Sequence, residues 1–341
     1  MVMALRLLRW DRSHTAPWRT PVVRLLTGMH INGLYVLQEQ LGNGFFATVF
    51  KATTVRAGWD DASVAIKFFQ PERDRSDFLE RFRREMRFIQ DIAHPHIIRW
   101  LDSGLYEEVP YIVLELATGG SLRTWKPEHE RYAVPEACWI IYQALSGLRA
   151  AGTIHRDLKP DNLLIMLGDA RTAGSFIIGD PVQGHCIKVA DWGLARDHQL
   201  PAGGARLTRT QDVAGTPWYM SPEQCFGTRH AGHASDMYAL ACVLYEFLCG
   251  EPPFAGTTAE EVLHRQVYGQ VTFPPELPMD VIGVLAKALE KESTKRYASI
   301  GAFQRALVPL MGLPGDWTYS HDAASDVADD PQRASIQPID I

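Results

Sequence analysis

The chain has 341 residues, 46% of them hydrophobic and 22% charged, a globular composition that excludes a wholly disordered chain, a collagen-like repeat and a coiled coil. At roughly 150 residues per domain, this length predicts about two domains or lobes. The formal net charge is −6, from 34 Lys and Arg against 40 Asp and Glu, so the chain as a whole lacks the excess positive charge of a nucleic-acid-binding protein.

The cysteines and the apolar stretches help to predict the cellular compartment of the protein. The five cysteines are scattered and form no C-x-x-C pair, so neither a disulfide framework nor a zinc site is predicted. No stretch approaches the roughly 20 apolar residues of a membrane-spanning helix, and the run from Met237 to Gly250 contains Glu246 and is predicted to be a buried helix. We therefore expect a soluble, cytoplasmic protein that binds neither membranes nor nucleic acid.

The first part of the chain is predicted to be rich in strands. Residues 1–33 show no clear periodicity and are predicted to be an N-terminal extension. Short β-branched and aromatic runs bounded by Gly, Asp or Pro then indicate four strands. These strands are Tyr35–Gln38, Ala47–Thr53, Ser63–Phe69 and Tyr111–Leu116. Apolar residues at helical spacing from Phe78 to Ala93 indicate one helix among them.

After Ser121 the pattern becomes largely helical. Two short strands separated by a Gly- and Asp-containing excursion are predicted within residues 163–190, and the polar, Asp-rich end from Gly312 is predicted to be a disordered tail. The clearest helices are Glu136–Ala151, Ala234–Leu248, Ala259–Tyr268 and Met279–Leu289. The sequence thus predicts an α+β protein with a small strand-rich lobe and a larger helical lobe.

Two motifs in the strand-rich part suggest phosphate binding. The segment from Leu41 to Val49 reads G-x-G-x-x-A-x-V, and glycines let backbone amides approach a phosphate because no Cβ intervenes. On its own the segment fits an ordinary hairpin turn equally well. Lys67 ends the apolar run Val-Ala-Ile-Lys and is a candidate phosphate ligand, and Glu85 on the predicted helix could pair with it.

The stretch from Ile154 to Asn162 is more specific. It reads I-H-R-D-L-K-P-D-N and places Asp157, Lys159 and Asn162 within six residues. A loop so dense in polar groups would be costly to order unless each group had a partner. Asp191 follows a later apolar strand, and Asp and Asn oxygens are suitable ligands for Mg²⁺.

With these motifs in this order, the sequence resembles the eukaryotic-type protein kinases, and in particular their bacterial branch, over about residues 35–310. Further matches are Asp191-Trp-Gly in place of D-F-G, Ser221-Pro-Glu in place of A-P-E, and Asp236 and Arg296. The resemblance implies a two-lobed α+β, protein kinase-like fold. Its boundaries would be an extension at 1–33, an N-lobe at about 34–116, a C-lobe at about 117–311 and an acidic tail at 312–341.

The resemblance also implies roles for individual residues. Lys67, held by Glu85, would bind the α- and β-phosphates of ATP. Asn162 and Asp191 would hold Mg²⁺, with Mn²⁺ as an alternative. Asp157 would accept the proton of the acceptor hydroxyl, and Lys159 would neutralise charge on the phosphoryl group. The remaining nucleotide contacts implied are Leu41, Gly42, Gly44, Ala47, Val49, Ala65, Leu164 and the backbone of Glu115 and Ala117, with Leu114 limiting the depth of the pocket.

Lys159 and the segment Gly215-Thr-Pro-Trp resemble the Ser/Thr pattern of the family, so we expect protein substrates with Ser or Thr acceptors. Arg156 precedes Asp157, which in this family is typical of enzymes switched by phosphorylation of the activation loop. Our hypothesis is that Thr210, or less favourably Thr208, is autophosphorylated and then paired by Arg156, because a phosphate beside a guanidinium makes charge-assisted bonds. Thr216 is expected near Asp157 and Lys159.

Three departures and two alternatives accompany this interpretation. Trp192 replaces the usual Phe, Ala47 replaces a third glycine, and residues 167–186 form an insertion that we expect to be a surface loop. A pseudokinase scaffold would lose Lys67, Asp157 or Asp191, all of which are intact. A small-molecule phosphotransferase would lack the protein-substrate elements around Thr216 and Ser221. An active Ser/Thr protein kinase is therefore the prediction.

Overall fold

The computed structural model describes residues 25–44, 47–55, 63–69, 90, 92–125, 131–167, 186–192, 217–227 and 230–312. The helix predicted from Phe78, with Glu85, lies largely outside these residues. So do Thr208, Thr210 and Thr216, most of the 167–186 insertion and the acidic tail.

The smaller lobe is built on one antiparallel sheet of six strands in the order β1-β2-β3-β4-β6-β5. The strands are β1 His30–Ile31, β2 Tyr35–Asn43, β3 Ala47–Thr54, β4 Ser63–Phe69, β5 Trp100–Tyr106 and β6 Val109–Glu115. The four predicted strands are present within a few residues. The first strand, β1, lies in the segment assigned to the extension, and β5 was not predicted.

The two faces of this sheet differ as the alternation in β4 predicts. Val64, Ile66 and Phe68 are buried in a small-lobe cluster with Tyr35, Phe50 and Tyr111, whereas Ala65 and Lys67 face the other side and are half-buried. Because successive side chains of a strand point to opposite faces, a lysine can end this apolar run without entering the core. One face of the sheet is therefore core, and the other is available for a site.

The larger lobe is mainly helical. Its helices are α1 Val134–Ala151, α2 Pro222–Cys225, α3 His233–Cys249, α4 Ala259–Tyr268, α5 Met279–Ala288 and α6 Ile300–Leu307, and a two-stranded sheet joins β7 Leu163–Met166 to β8 Cys186–Val189. The four predicted helices and both predicted short strands are present, while α2 and α6 were not predicted. The two-lobed α+β arrangement implied by the resemblance is confirmed.

Local chemistry explains the ends of the helices. Pro135 occupies the first turn of α1, where its missing N–H costs nothing. Gly152 ends that helix at a φ of 61°, in the left-handed region that favours glycine. The side chain of Thr258 accepts a hydrogen bond from the Glu261 N–H at the start of α4, and Ser299 does the same for Ala302 at the start of α6.

The main core lies around α1 and α3. Helix α3 is buried on nearly all sides, as predicted, and packs against α1 together with α5 and α6. Ala47, Phe69 and Ile112 of the six-stranded sheet belong to this main cluster, whereas the small-lobe cluster is separate from it. Among the described helices, none combines the length and the apolar character needed to span a membrane.

Candidate active site

The loop from His155 to Asn162, between α1 and β7, is held in place by a buried carboxylate. Asp236 in the first turn of α3 accepts hydrogen bonds from the backbone N–H groups of His155 (2.8 Å) and Arg156 (2.9 Å). Burial raises the pKa of Asp236 to about 7, although the two N–H donors act in the opposite direction. Arg156 has a φ of 68°, so this carboxylate stabilises a backbone conformation that side chains rarely adopt.

His155 connects this loop to the segment that carries Asp191. Its Nδ1 accepts the Asp157 N–H at 3.3 Å, and its Nε2 lies 2.9 Å from the Ala190 carbonyl oxygen. These partners fit a neutral ring protonated on Nε2. The Trp192 ring packs against His155, with centroids 4.8 Å apart. Trp192 is only 5% exposed, and its indole N–H has no hydrogen-bond partner among the described residues.

Asp157, Lys159 and Asn162 form one hydrogen-bonded group. Lys159 Nζ lies 3.3 Å from Asp157 Oδ2, and Asn162 Nδ2 donates to the Asp157 carbonyl oxygen at 2.7 Å. The Asn162 carbonyl oxygen in turn accepts the Ala190 N–H at 2.9 Å. The predicted catalytic loop is thus tied directly to the strand end that precedes Asp191.

Lys67 reaches this group from the opposite lobe. Its Nζ forms an ion pair with Asp191 Oδ1 at 2.6 Å. Burial alone would raise the pKa of the Asp191 carboxyl, but its ion pair with Lys67 and the nearby Lys159 ammonium together hold that pKa below its usual range. Asp191 therefore stays ionised at neutral pH. The predicted pairing of Lys67 with Glu85 lies outside the described residues.

The donor set fits a divalent cation bound through oxygen. Asn162 uses its amide N–H on Asp157, so its side-chain oxygen is the atom left for a cation, and Asp191 adds an ionised carboxylate. Hard cations such as Mg²⁺ prefer such oxygen ligands. Among the described residues, no cluster of three or more His, Cys, Asp or Glu side chains offers a separate metal site.

Most of the residues predicted to contact the nucleotide lie on the six-stranded sheet, on the face that carries Lys67, and Leu164 lies in the larger lobe. Val49 is the cross-strand partner of Lys67, and Ala65 is the partner of Leu114, so these four side chains share one face. Gly42 lies near the end of β2, Gly44 follows that strand and Ala47 begins β3. The Gly44 N–H donates to the Ala47 carbonyl oxygen at 2.8 Å. Leu41 is exposed at this edge, and Leu164 lies on β7 in the other lobe.

The segment that begins at the last residue of β6, residues 115–120, links the two lobes and contains Glu115 and Ala117. At its far end the Gly119 N–H donates to the Ile165 carbonyl oxygen at 2.8 Å, and the Ile165 N–H donates to the Gly120 carbonyl oxygen at 2.8 Å. A Cβ on Gly119 would lie 2.7 Å from the Ile165 side chain, so only glycine lets the linker approach β7 this closely.

Two polar groups near the site were not predicted. Arg123 binds Glu246 (2.8 Å), Asp161 (3.3 Å) and the Tyr219 hydroxyl, forming a charged network beside the catalytic loop. Lys188 in β8 pairs with Glu115 of the linker at 2.8 Å. A lysine between two buried apolar residues of a short strand was the available signal for the second group, because such a charge requires a partner.

Comparison with known protein families agrees with this geometry. Residues 35–307 match the family model described as "Protein kinase domain". The chain is 33% identical over 301 residues to a "Probable serine/threonine-protein kinase PknB" of Bifidobacterium longum, covering 83% of this chain and 40% of the relative. It is 34% identical over 302 residues to "Serine/threonine-protein kinase PknB" of Mycobacterium tuberculosis, and 35% identical over 301 residues to that of Mycolicibacterium smegmatis.

Both mycobacterial matches cover 83% of this chain and 44% of the relative. The chain therefore spans about two fifths of the length of the curated relatives it matches.

Proposed function

The chain belongs to the protein kinase family, in its bacterial serine/threonine branch, and on this premise we propose that it is an active kinase that transfers the γ-phosphate of ATP to Ser and Thr hydroxyls of proteins. The observation that carries the proposal is the convergence of Lys67, Asp157, Lys159, Asn162 and Asp191 between the two lobes. A pseudokinase has no comparable support, because each of these side chains is present and linked to the others.

The chemistry follows from the charges of these side chains. The oxygen of the substrate hydroxyl bonds to the γ-phosphorus while the bond from that phosphorus to the leaving oxygen of ADP breaks. Asp157 accepts the proton that the hydroxyl loses. Lys159, 3.3 Å from Asp157, neutralises charge on the transferred group. Lys67 binds the α- and β-phosphates from above. This is catalysis by positioning and electrostatics, which explains why several charged groups must meet.

Asn162 and Asp191 are the residues that would hold Mg²⁺, with Mn²⁺ as an alternative. A divalent cation bound there supplies positive charge to the phosphates. Lys67 and Asp191, already ion-paired at 2.6 Å, then bind the phosphates and the cation respectively.

The nucleotide base is proposed to lie between Leu41, Val49 and Ala65 above and Leu164 below. The backbone of Glu115 and Ala117 would bond its edge, and the Gly42–Ala47 turn would cover the phosphates. The register that places Val49, Ala65 and Lys67 on one face supports this assignment.

The proposal includes autophosphorylation on Thr210, or Thr208, followed by pairing of the phosphate with Arg156. Its support is the position of Arg156, adjacent to Asp157 and fixed through Asp236. The cytoplasm is the proposed setting, because ATP is the phosphate donor and all five cysteines are free thiols.

The test is mass spectrometry of the purified chain after incubation with ATP and Mg²⁺, together with turnover on a generic protein substrate. Asp157→Asn keeps the shape and removes the proton acceptor, so it should abolish both signals. Asp280→Asn, the same change at an exposed aspartate in the first turn of α5, is the matched control and should leave both intact. Absence of turnover by the parent protein on any Ser/Thr substrate would contradict the proposal, and phosphate elsewhere than on Thr208 or Thr210 would contradict only the switch.

A further inference from the structure

A half-buried ion pair lies behind the linker between the lobes. Lys188 Nζ is 2.8 Å from Glu115 Oε1, and the two side chains are only 12% and 16% exposed. Removing two charges from water costs free energy that their attraction repays only when the geometry is good and further hydrogen bonds form. The pair therefore needs supporting contacts, and the structure provides them.

Glu115 is fixed by three bonds to elements behind it. Its carboxylate accepts the backbone N–H of Arg99 at 2.6 Å in addition to the Lys188 ammonium. Its own N–H donates to the Arg99 carbonyl oxygen at 3.0 Å. Glu115 is the last residue of β6 and the first of the linker, so these bonds determine where the linker begins.

Both ends of the linker are attached to the same two-stranded sheet. Lys188 lies on β8, and Gly119 bonds to Ile165 on β7. Lys188 is also the cross-strand partner of Leu164, the residue proposed to pack under the base. The sheet of β7 and β8 thus contacts the linker at residue 115 and at residue 119. Ala117 lies between these two points of attachment.

We propose that Lys188 is a positioning residue for nucleotide binding. Its ammonium holds the Glu115 carboxylate behind the linker, and this fixes the backbone of Glu115 and Ala117 for contact with the base. Lys188 itself touches no reacting atom. The inference rests on the adenine contacts of the proposed function, but it concerns binding and does not require turnover.

The experiment measures ADP binding to the full chain by calorimetry, with and without Mg²⁺. Lys188→Met keeps most of the length of the unbranched side chain, removes its charge and leaves the Glu115 carboxylate without its cation. We expect the Kd for ADP to rise about tenfold. In steady-state assays the KM for ATP should rise by a similar factor, while kcat changes by less than about twofold.

Two variants separate positioning from stability. Lys188→Arg retains a cation and should bind ADP within about threefold of the parent protein. Lys295→Met is the matched control, because Lys295 also pairs with a glutamate, Glu292 at 2.7 Å, but the two side chains are 58% and 64% exposed and far from the linker in sequence. Its Kd for ADP should equal that of the parent protein.

The double variant Lys188→Met/Glu115→Gln removes the uncompensated charge and should recover part of the lost affinity. A Lys188→Met protein that melts at a lower temperature but binds ADP within twofold of the parent protein would overturn the proposal. If Lys188→Met does not fold, Glu115→Gln carries the test, with an expected loss of threefold to fivefold, and an unchanged Kd would overturn it equally. A shifted Kd in a protein without turnover would support Lys188 and count against the kinase activity alone.

Discussion

At the scale of single residues, the site depends on two backbone conformations that are rare outside glycine. Arg156 and Asp191 have φ angles of 68° and 63°, and such a conformation costs on the order of 1–3 kcal/mol per residue. Arg156 is held by Asp236 and by Gln224, whose side-chain amide donates to the Arg156 carbonyl oxygen at 3.0 Å. Asp191 is held by Lys67. The surroundings, and not the residues themselves, impose these conformations.

Asp236→Asn should therefore impair the reaction without removing any group that touches substrate. Asparagine has one acceptor oxygen, so either the His155 or the Arg156 N–H would face an amide N–H instead of a carboxylate. We expect kcat to fall at least about tenfold at pH 8, and the free energy of unfolding to fall by about 1–3 kcal/mol.

Because the pKa of Asp236 is raised to about 7, the carboxyl takes up a proton below that pH. The difference in kcat between the parent protein and Asp236→Asn should therefore become smaller as the pH is lowered below 7. A variant with the full kcat at pH 8 would show that the two backbone bonds do not position the loop.

Trp192→Phe should be tolerated unusually well for a change at a buried tryptophan. The smaller ring leaves a cavity worth about 1 kcal/mol, but it also removes a buried indole N–H without a partner among the described residues, which costs about 1–3 kcal/mol. Urea denaturation should give a free energy of unfolding within about 1 kcal/mol of the parent protein, or above it.

Trp139→Phe is the matched comparison, because Trp139 is also buried and stacks on Tyr142 with centroids 5.8 Å apart. It should lose about 1–2 kcal/mol. Equal losses at both positions would show that the indole N–H of Trp192 carries no penalty.

At the scale of elements, one lysine links the end of α4 to the segment after α5. Lys291 Nζ donates to the carbonyl oxygens of Gln266 (2.7 Å) and Arg265 (3.3 Å), and it lies 3.6 Å from the centre of the Phe254 ring. The main-chain oxygens at a helix C-terminus suit a cation. Burial nevertheless lowers the pKa of Lys291 to about 8, because no carboxylate among its described contacts offsets the loss of hydration.

Because of this lowered pKa, the difference in free energy of unfolding between the parent protein and Lys291→Met should depend on pH. From about pH 8 to the ordinary lysine value of 10.5, the unfolded chain binds more protons at this position than the folded one, so the Lys291 contribution to stability rises with pH. The free energy of unfolding of the variant minus that of the parent protein should be largest at pH 7 and decrease by pH 10. Thermal unfolding of both proteins across this range is the measurement. If this difference in the free energy of unfolding instead increased with pH, the charged form of Lys291 would be more stable in the folded protein than in the unfolded chain.

The sequence predicted elements with local signals and missed those set by partners. The strand Ser63–Phe69 and the helix Ala259–Tyr268 match the predicted bounds because both have clear periodicity. Strand β5 contains Asp102, Ser103 and Gly104, and it is defined by pairing with β6 across Glu107 and Glu108. Both turn residues have positive φ, a conformation that usually requires Asn or Gly, so the hairpin had no sequence signal.

The site was predicted in the same uneven way. Asp157, Asn162 and Asp191 stand in motifs whose order is informative, and the structure brings them together with Lys67. Lys188 and Arg123 act through partners 73 and 123 residues away in the chain, Glu115 and Glu246 respectively. Side-chain pairs at such separations depend on the fold, so a local pattern indicates at most that Lys188 needs a partner and does not identify which residue that partner is.

At the scale of the whole molecule, apolar packing is divided between two clusters. The cluster around Tyr35, Phe50 and Tyr111 lies on one face of the six-stranded sheet, and the main cluster surrounds α1 and α3. Few side chains of the sheet, among them Phe69 and Ile112, belong to the main cluster. Lys67, which pairs with Asp191, lies on the face of the sheet opposite the smaller cluster.

This division implies that the backbone amides of the molecule exchange with deuterium in two populations. Amides of β2, β3 and β4 can be released when the smaller cluster opens by itself, whereas those of α3 should exchange only in global unfolding. Hydrogen exchange followed by mass spectrometry should show the sheet exchanging faster than α3. Saturating ADP and Mg²⁺, bound between the lobes, should slow the sheet selectively. Identical rates in both populations would mean that the chain opens as a single cooperative unit.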